Sequence, residues 1–314
     1  MTKVAVIGAG HWGRNLIRNL HEMGVLAAVA EHHADVRQTL AETYPDLSLH
    51  PDPAAIFGDA SIRGVLISTP SPTHYQVAKQ ALLAGKDVLV EKPMTLNSRD
   101  AKDLVTLAKQ QSRVLMTGHL LLFQPAVRWI KQFLDDGKLG NLCSLHQERM
   151  DLGRAQPVEN VLWALGVHDL AVLLYLVGAQ PERIRASGHH VLTPDVEDDV
   201  YVHMEFPNGV RANLHNSWLW PVKRRRLVVV GSTGMLVYNE VKQSVVHYRK
   251  SIGSDLRNRD EGSELVFEGH GQPLRLELEH FLECVKTRAT PLASGESAIE
   301  VIKVLEAAAG MLEN

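Results

Sequence analysis

Two short stretches in the first third of the chain combine residues that bind a dinucleotide with residues that stabilise charge during hydride transfer. Gly8-Ala9-Gly10-His11-Trp12-Gly13 follows the apolar run at 4–7, and Glu91-Lys92-Pro93 follows Val88-Leu89-Val90. Gly8 permits a tight turn out of a strand, Gly10 lets the backbone approach a pyrophosphate, and Gly13 lets the following helix pack close to the sheet. The helix amino terminus then turns unpaired N–H groups toward the phosphates. Alone, the glycine pattern also fits an ordinary turn. Its context argues otherwise, because a helical stretch and a second apolar run at 25–30 lead to Glu31, 23 residues after Gly8. An acid at that strand end accepts hydrogen bonds from the adenosine ribose and repels a 2′-phosphate, which predicts NAD rather than NADP. The plainer reading of Glu31 is a solvated strand end, and His32 and His33 beside it soften the preference, since a protonated imidazole offsets some of the repulsion.

Oxidising a secondary alcohol needs a hydride acceptor, a base for the hydroxyl proton and a positive group near the developing alkoxide. A nicotinamide supplies the first, Lys92 can supply the third, and His168 can take the proton. Each has a bland alternative: Lys92 as a surface lysine in a strand-end loop, and His168 as a satisfied core histidine beside Leu165 and Leu170. His74 and His119 carry the same ambiguity. Trp163, Trp218 and Trp220 can stack on a sugar or base, although large aromatics more often fill a core. In Lys223-Arg224-Arg225-Arg226, strand alternation puts Arg224 and Arg226 on one face and Lys223 and Arg225 on the other. One pair could clamp a diphosphate; a solvated strand start or subunit interface fits equally well.

The elements that must position these residues fall into two textures. From 1 to about 118, short β-rich runs at 3–7, 25–30, 47–49, 63–68, 87–90 and 113–117 alternate with helical ones at 12–22, 34–43, 73–84 and 98–110, which predicts a parallel, doubly wound sheet. After about 120, helices at 124–135 and 161–176 precede strand-like runs at 183–190, 199–206, 210–218, 225–231, 234–239 and 243–248, separated by turn residues such as Pro207-Asn208-Gly209. That order predicts an antiparallel sheet, closed by helices at 274–287 and 296–309. The expected domains are a dinucleotide-binding Rossmann domain at 1–120 and a substrate-binding and oligomerisation domain at 121–314, with the terminal helices free to pack back on the first.

Composition excludes other classes. The chain has 33 Lys and Arg against 36 Asp and Glu, a formal charge of −3, which gives no electrostatic footprint for nucleic acid. Cys143 and Cys284 lack a CxxC spacing, so neither a disulfide framework nor a metal site is expected. The first residues enter a strand at once, and the longest apolar stretch, 170–179, is about half a bilayer span, so the expected location is the cytoplasm.

The order Gly8-x-Gly-x-x-Gly, Ser68-Thr69-Pro70-Ser71-Pro72-Thr73-His74, Ala84-Gly85-Lys86-Asp87-Val88-Leu89-Val90-Glu91-Lys92-Pro93, Gly118-His119, Phe123-Gln124-Pro125 and Gly166-Val167-His168-Asp169 resembles the glucose-fructose oxidoreductase, inositol dehydrogenase and rhizopine-catabolism (Gfo/Idh/MocA) family. The resemblance covers nearly the whole chain. It implies a Rossmann domain followed by a domain with a large, mostly antiparallel open sheet whose exposed face builds homodimers or homotetramers. It also implies that Lys92 lies beside the nicotinamide, with Thr69, Pro70, His74 and Glu91 lining the cofactor cleft, and that His11, Trp12 and Gln124 add contacts. The stretches 149–154, 159–170 and 217–226 resemble the branch acting on nucleotide-linked sugars, with substrate contacts at His119, Arg149, Trp163, Trp218 and Arg225 and at least one arginine of 149–154 or 224–226 directed into an open cleft. Many sugar and cyclitol dehydrogenases of the family carry Asp four residues before the motif histidine, where this chain has Ala164. That leaves His168 as proton acceptor, with Asp169 as its possible neighbour. The expected function is therefore an NAD-dependent oxidoreductase acting on a secondary hydroxyl of a sugar, nucleotide-linked by this resemblance. A free-sugar or cyclitol dehydrogenase is the alternative enzyme, and a non-catalytic dinucleotide sensor the alternative of another class.

Overall fold

The computed structural model of the chain describes residues 2–153, 155, 159–269 and 271–312; Arg154 lies outside the described residues. The chain divides into two compact units, Met1–Leu120 with Pro273–Ile302 and Leu121–Gln272 with Lys303–Asn314.

In the first unit, near-continuous apolar runs become strands buried on both faces and amphipathic runs become the helices that cover them. The elements are β1 (Lys3–Ile7), α1 (Gly13–Glu22), β2 (Leu26–Ala30), α2 (Ala34–Thr43), β3 (Ser48–His50), α3 (Ala54–Gly58), β4 (Ile62–Ile67), α4 (His74–Leu83), β5 (Asp87–Val90), α5 (Ser98–Gln110) and β6 (Leu115–Thr117). The strands pair in parallel in the order β3-β2-β1-β4-β5-β6. The order reverses between β1 and β4, and the carboxyl ends flanking such a reversal form the crevice in which doubly wound sheets bind ligands. Asn97 caps α5 by accepting from Asp100 N at 2.8 Å.

The second unit begins with α6 (Pro125–Asp135) and β7 (Leu142–Leu152), followed by a π-helical turn (Leu162–Gly166) that runs into α7 (Val167–Val177). Then come β8 (Arg183–His189), β9 (Asp199–Glu205), β10 (Arg211–Ser217), β11 (Leu219–Gly231), β12 (Met235–Asn239), β13 (Ser244–Ile252) and β14 (Asn258–Glu268). The sheet runs β14-β13-β12-β11-β7-β10-β9-β8, antiparallel except for the parallel pair β7 and β10. In β9, buried Val200, Val202 and Met204 alternate with exposed Tyr201, His203 and Glu205, the pattern of a sheet covered on one face. α7 packs on β7 and β10, and α6 packs on α7.

Three elements were not expected from the sequence: β7, β14 and the one-turn α3. β7 carries Glu148 and Arg149 where a strand usually carries apolar residues, and β14 is an almost wholly exposed, charge-rich edge. β11 also starts six residues before the expected 225.

After the second sheet the chain returns to the first unit with α8 (Pro273–Thr287) and the start of α9 (Gly295–Leu312). Phe281 on α8 is fully buried, and a Cβ on Gly64 of β4 would lie 3.2 Å from its ring, so Gly64 is where the helix meets the sheet. Arg288, just beyond α8, donates to Asp87 Oδ1 at 2.6 Å, and Met116 of β6 bridges to Ser294. Among the described residues, no helix is long and apolar enough to cross a membrane.

Candidate active site

The loop between β1 and α1 is held by a backbone that tolerates no side chain at two positions. Gly8 has φ +94°, and a Cβ there would lie 2.7 Å from the Ser68 carbonyl oxygen. At Gly13 a Cβ would collide with the Gly8 carbonyl oxygen. Gly10 differs: a Cβ there meets nothing within 4 Å, so the loop faces open space. Residues of this kind fit a pyrophosphate laid against the amino terminus of α1. His11 and Trp12 are exposed on the same loop.

Glu31, at the end of β2, is latched to that loop. Its Oε2 accepts from Ala9 N at 2.8 Å, its Oε1 accepts from His33 N at 2.9 Å, and only 6% of the residue is exposed. Burial pushes the carboxyl up, but the His33 and Ala9 amides and the imidazoles of His32 and His33 outweigh it, and the pKa lies below the usual glutamate value. Glu31 is thus an anion at neutral pH. Glu31, His32 and His33 also place possible metal-ligand atoms within 4.8 Å of one another, and each Glu31 oxygen, accepting one backbone amide, keeps acceptor capacity for a further partner.

His74 ties together the two loops that flank β4 and β5. Its Nε2 lies 2.8 Å from the Thr69 carbonyl oxygen and its Nδ1 2.8 Å from that of Pro93, so it braces the turn carrying Thr69 and Pro70 against the turn carrying Lys92. Burial lowers its pKa, with Lys92 adding to the effect and the two carbonyls opposing it. Glu91 accepts a 2.6 Å hydrogen bond from Trp12 Nε1, and its Oε2 would lie 2.7 Å from a Cβ on Gly118. Burial pushes Glu91 up to about 7, against the pull of the Trp12 hydrogen bond and the Lys92 ammonium. His119 is buried with both ring nitrogens lacking partners, and burial together with Lys92 pushes it down to about 4, so it is neutral at physiological pH.

In the second unit the structure relocates several expected site residues. Asp169 is fully buried and accepts from Arg149 Nε, Gln147 Nε2 and Asn216 Nδ2, each at 2.9 Å. Arg149 also donates to both oxygens of Glu240, at 3.1 and 2.7 Å, and Arg225 joins the same carboxylate at 3.1 Å. Burial alone would lower the Arg149 pKa; Asp169 and Glu240 hold it up. Asp169 and Arg149 pair with each other, because a buried charge must be paired, so any role of Asp169 beside His168 or of Arg149 at the substrate is exercised from within that pair. Arg225 shares Glu240, and Arg224 pairs with Glu148 at 2.8 Å. Arg226 Nε is buried without a hydrogen-bond partner. Trp218, 3% exposed, packs where a Cβ on Gly153 would lie 2.9 Å from its ring, so it is a core residue rather than a stacking platform. Gln124 lines a small cavity with Arg149, Asp169 and Glu240, and its Oε1 has no partner. Trp163 and Ala164 in the π-turn and His168 at the start of α7 are half-buried. Sequence reasoning missed Glu240, which sits in a hairpin without a motif, and Glu277, which breaks the apolar pattern of α8 one turn before Phe281.

A glycine loop on the amino terminus of a helix, with an anionic residue latched at the tip of the next strand, defines an NAD-binding oxidoreductase of the Rossmann class. Residues 2–119 match the profile described as an oxidoreductase family with an NAD-binding Rossmann fold, and residues 127–237 match the C-terminal domain of the Gfo/Idh/MocA family. The chain belongs to that family. It is 28% identical over 301 residues to UDP-N-acetylglucosamine 3-dehydrogenase of Acidithiobacillus ferrooxidans, covering 96% of this chain and 94% of that one. A solved structure of that enzyme aligns with a TM-score of 0.88 at 27% identity, covering 99% and 97% of the two chains. The chain is 26% identical over 275 residues to scyllo-inositol 2-dehydrogenase (NAD(+)) of Bacillus subtilis, covering 84% and 79%. It shares its fold with a levoglucosan dehydrogenase solved with NADH and levoglucosan, at 19% identity and a TM-score of 0.86, with 99% and 97% covered.

Two outcomes follow from this geometry. Glu31→Ser removes the anion from the tip of β2 and is expected to narrow the NAD-over-NADP affinity ratio by tenfold or more, about 1.4 kcal/mol, measured by calorimetric titration with both dinucleotides. Asp169→Ala leaves Arg149 buried with part of its charge uncompensated and is expected to cost about 3–5 kcal/mol of stability, measured by urea unfolding.

Proposed function

We propose that the protein is an NAD-dependent dehydrogenase that oxidises a ring secondary hydroxyl of a nucleotide-linked sugar. The observation that carries the substrate class is the match to a UDP-sugar dehydrogenase along nearly the full length of both chains, on top of a loop and a Glu31 latch that suit NAD. When bound, NAD supplies the hydride acceptor. Gly8, Gly10 and Gly13 hold the pyrophosphate, and Glu31 receives the ribose hydroxyls. Lys92 Nζ donates to the reacting oxygen and stabilises its developing negative charge. His168 takes the hydroxyl proton, unassisted by a carboxylate four residues earlier because Ala164 stands there. His119, neutral at physiological pH, is suited to hydrogen bonding with a sugar hydroxyl. The half-buried Trp163 is the stacking surface for the sugar or base, in place of Trp218. The protein works as a homodimer or homotetramer in the cytoplasm.

A second reading, a free-sugar or cyclitol dehydrogenase, is favoured by the state of the arginines. Arg149, Arg224 and Arg225 are held by carboxylates of their own unit, which reserves them from a diphosphate and leaves Arg226 as the candidate among the described residues of that group. A thermal-shift series on NAD-loaded protein separates the two readings, because a ligand that binds only the folded state raises Tm by mass action. UDP-linked N-acetylhexosamines are expected to raise Tm and free inositols to leave it unchanged; the reverse result favours the second reading. With the substrate so identified, Lys92→Ala is expected to keep NAD affinity within a few-fold and to lower kcat by about 10²–10³. Near-normal turnover of that variant would overturn the assigned chemistry.

A further inference from the structure

Glu277 is a fully buried acid of the first unit that the proposed function leaves without a task. It lies on α8, and neither carboxyl oxygen has a hydrogen-bond partner. Burying an ionised carboxylate in that state is prohibitive, so the group must be a neutral acid. A neutral acid carries an O–H that needs an acceptor.

The topology identifies the acceptor. Phe281, one turn further along α8, sits over Gly64 of β4, which pairs with Asp87 at the beginning of β5, and Arg288 beyond the helix binds the Asp87 carboxylate. With Phe281 and Arg288 both over the strand beginnings, the amino-terminal half of α8, which carries Glu277, extends away from them. One turn is about 5.4 Å, and helical side chains tilt toward the helix amino terminus, so the Glu277 carboxyl is carried up the sheet toward the end of β5, where Glu91 stands. A second path gives the same placement. α8 packs against α1, whose first-turn neighbour Trp12 donates its indole N–H to Glu91. Glu91 in turn presses on the backbone of Gly118.

We infer that Glu277 is a positioning residue for the strand end that carries Lys92: a neutral buried acid whose O–H, through one bound water, holds the Glu91 carboxylate turned toward Trp12. Electrostatics agree. Burial and then the Glu91 charge push Glu277 well above the usual carboxylate range, while Glu91 is pushed up only to about 7 because Trp12 and Lys92 oppose its burial. Two neighbouring carboxyls do not readily ionise together, so above neutral pH Glu91, the less buried of the two, is the anion and Glu277 keeps its proton. The other titratable groups at this end are Lys92, next to Glu91, and the imidazoles of His74 and His119, both of which feel Lys92. The arrangement limits the strand end to one negative charge beside one ammonium group.

The test uses the free, full-length protein and does not depend on the substrate. Trp12 reports on Glu91 directly, so tryptophan fluorescence is followed against pH, with Trp12→Phe subtracting the other indoles. The unaltered protein is expected to titrate near 7. Glu277→Leu keeps the volume and removes the donor, and is expected to raise that midpoint by about one pH unit, a tenfold change in proton affinity. Glu277→Gln, which keeps a neutral donor, is expected to restore it. Glu277→Met replaces the Leu variant if circular dichroism shows that it does not fold. An unchanged midpoint in the Leu or Met variant overturns the inference, since Glu277 would then only fill space; a midpoint lowered by a unit in Glu277→Gln overturns it too, since Glu277 would then have carried a charge. A calorimetric arm rests on the cofactor reading: NAD binding is expected to weaken several-fold in Glu277→Leu and to recover in Glu277→Gln. If none of the proteins, unaltered chain included, binds NAD, the cofactor reading falls while the fluorescence titration still decides the role of Glu277.

Discussion

The backbone of Gly13 lies so close to the Gly8 carbonyl that no side chain fits between them, and the nucleotide end of the first unit is organised by that contact. It brings the start of α1 down onto the loop, which places Trp12 where its indole reaches Glu91 at the end of β5. It also leaves Ala9 N turned toward Glu31 at the end of β2. Three strand ends are thus referred to one turn. A methyl group at position 13 would displace the helix, and the displacement would reach Glu31 and the residues around Lys92 together.

The second unit solves a different problem. Its long strand β7 carries Arg149 into the interior, and the cost of removing a guanidinium from water is offset only by full pairing. Asp169 from α7 and Glu240 beyond β12 supply that pairing, with Gln147, Asn216 and Arg225 filling the remaining positions. Because the partners come from a helix, a strand and a hairpin, the network fixes how α7 lies on the sheet. His168 is the residue immediately before Asp169 on α7. Anchoring the acid limits how the turn of α7 that carries His168 can move.

What could be read in the chain depended on whether a residue's role was local. The glycine loop, Glu31 and the alternation of strands and helices in the first unit are set by neighbours in sequence, and their positions were legible to within a residue or two. Glu91-Lys92-Pro93 was legible as a strand end. Arg149 and Asp169 were visible as charged residues in suggestive company, but a partner 91 positions away in the chain decides that Arg149 belongs to the interior. The same non-local pairing concealed β7, whose alternation of Glu148 and Arg149 reads as a polar loop until Glu240, Asp169 and Arg224 stand beside it. β14 was concealed for the opposite reason: it buries so little that it carries no apolar period. The return of α8 and the start of α9 to the first unit depends on the fit of Phe281 against Gly64, a pairing across more than two hundred residues.

The latch at Glu31 has an evolutionary consequence. The carboxylate proposed to discriminate against a 2′-phosphate is also the acceptor for the amides of Ala9 and His33. A lineage that exchanged it for a neutral or shorter residue would gain access to the other dinucleotide and in the same step orphan two backbone donors, at about 1–3 kcal/mol for each that stays buried. Cofactor preference in this chain is therefore epistatic with loop stability. The mutational path to a changed preference runs first through substitutions that re-satisfy Ala9 and His33, and only then through position 31, so the order of steps is fixed by hydrogen-bond accounting rather than by selection on the cofactor itself.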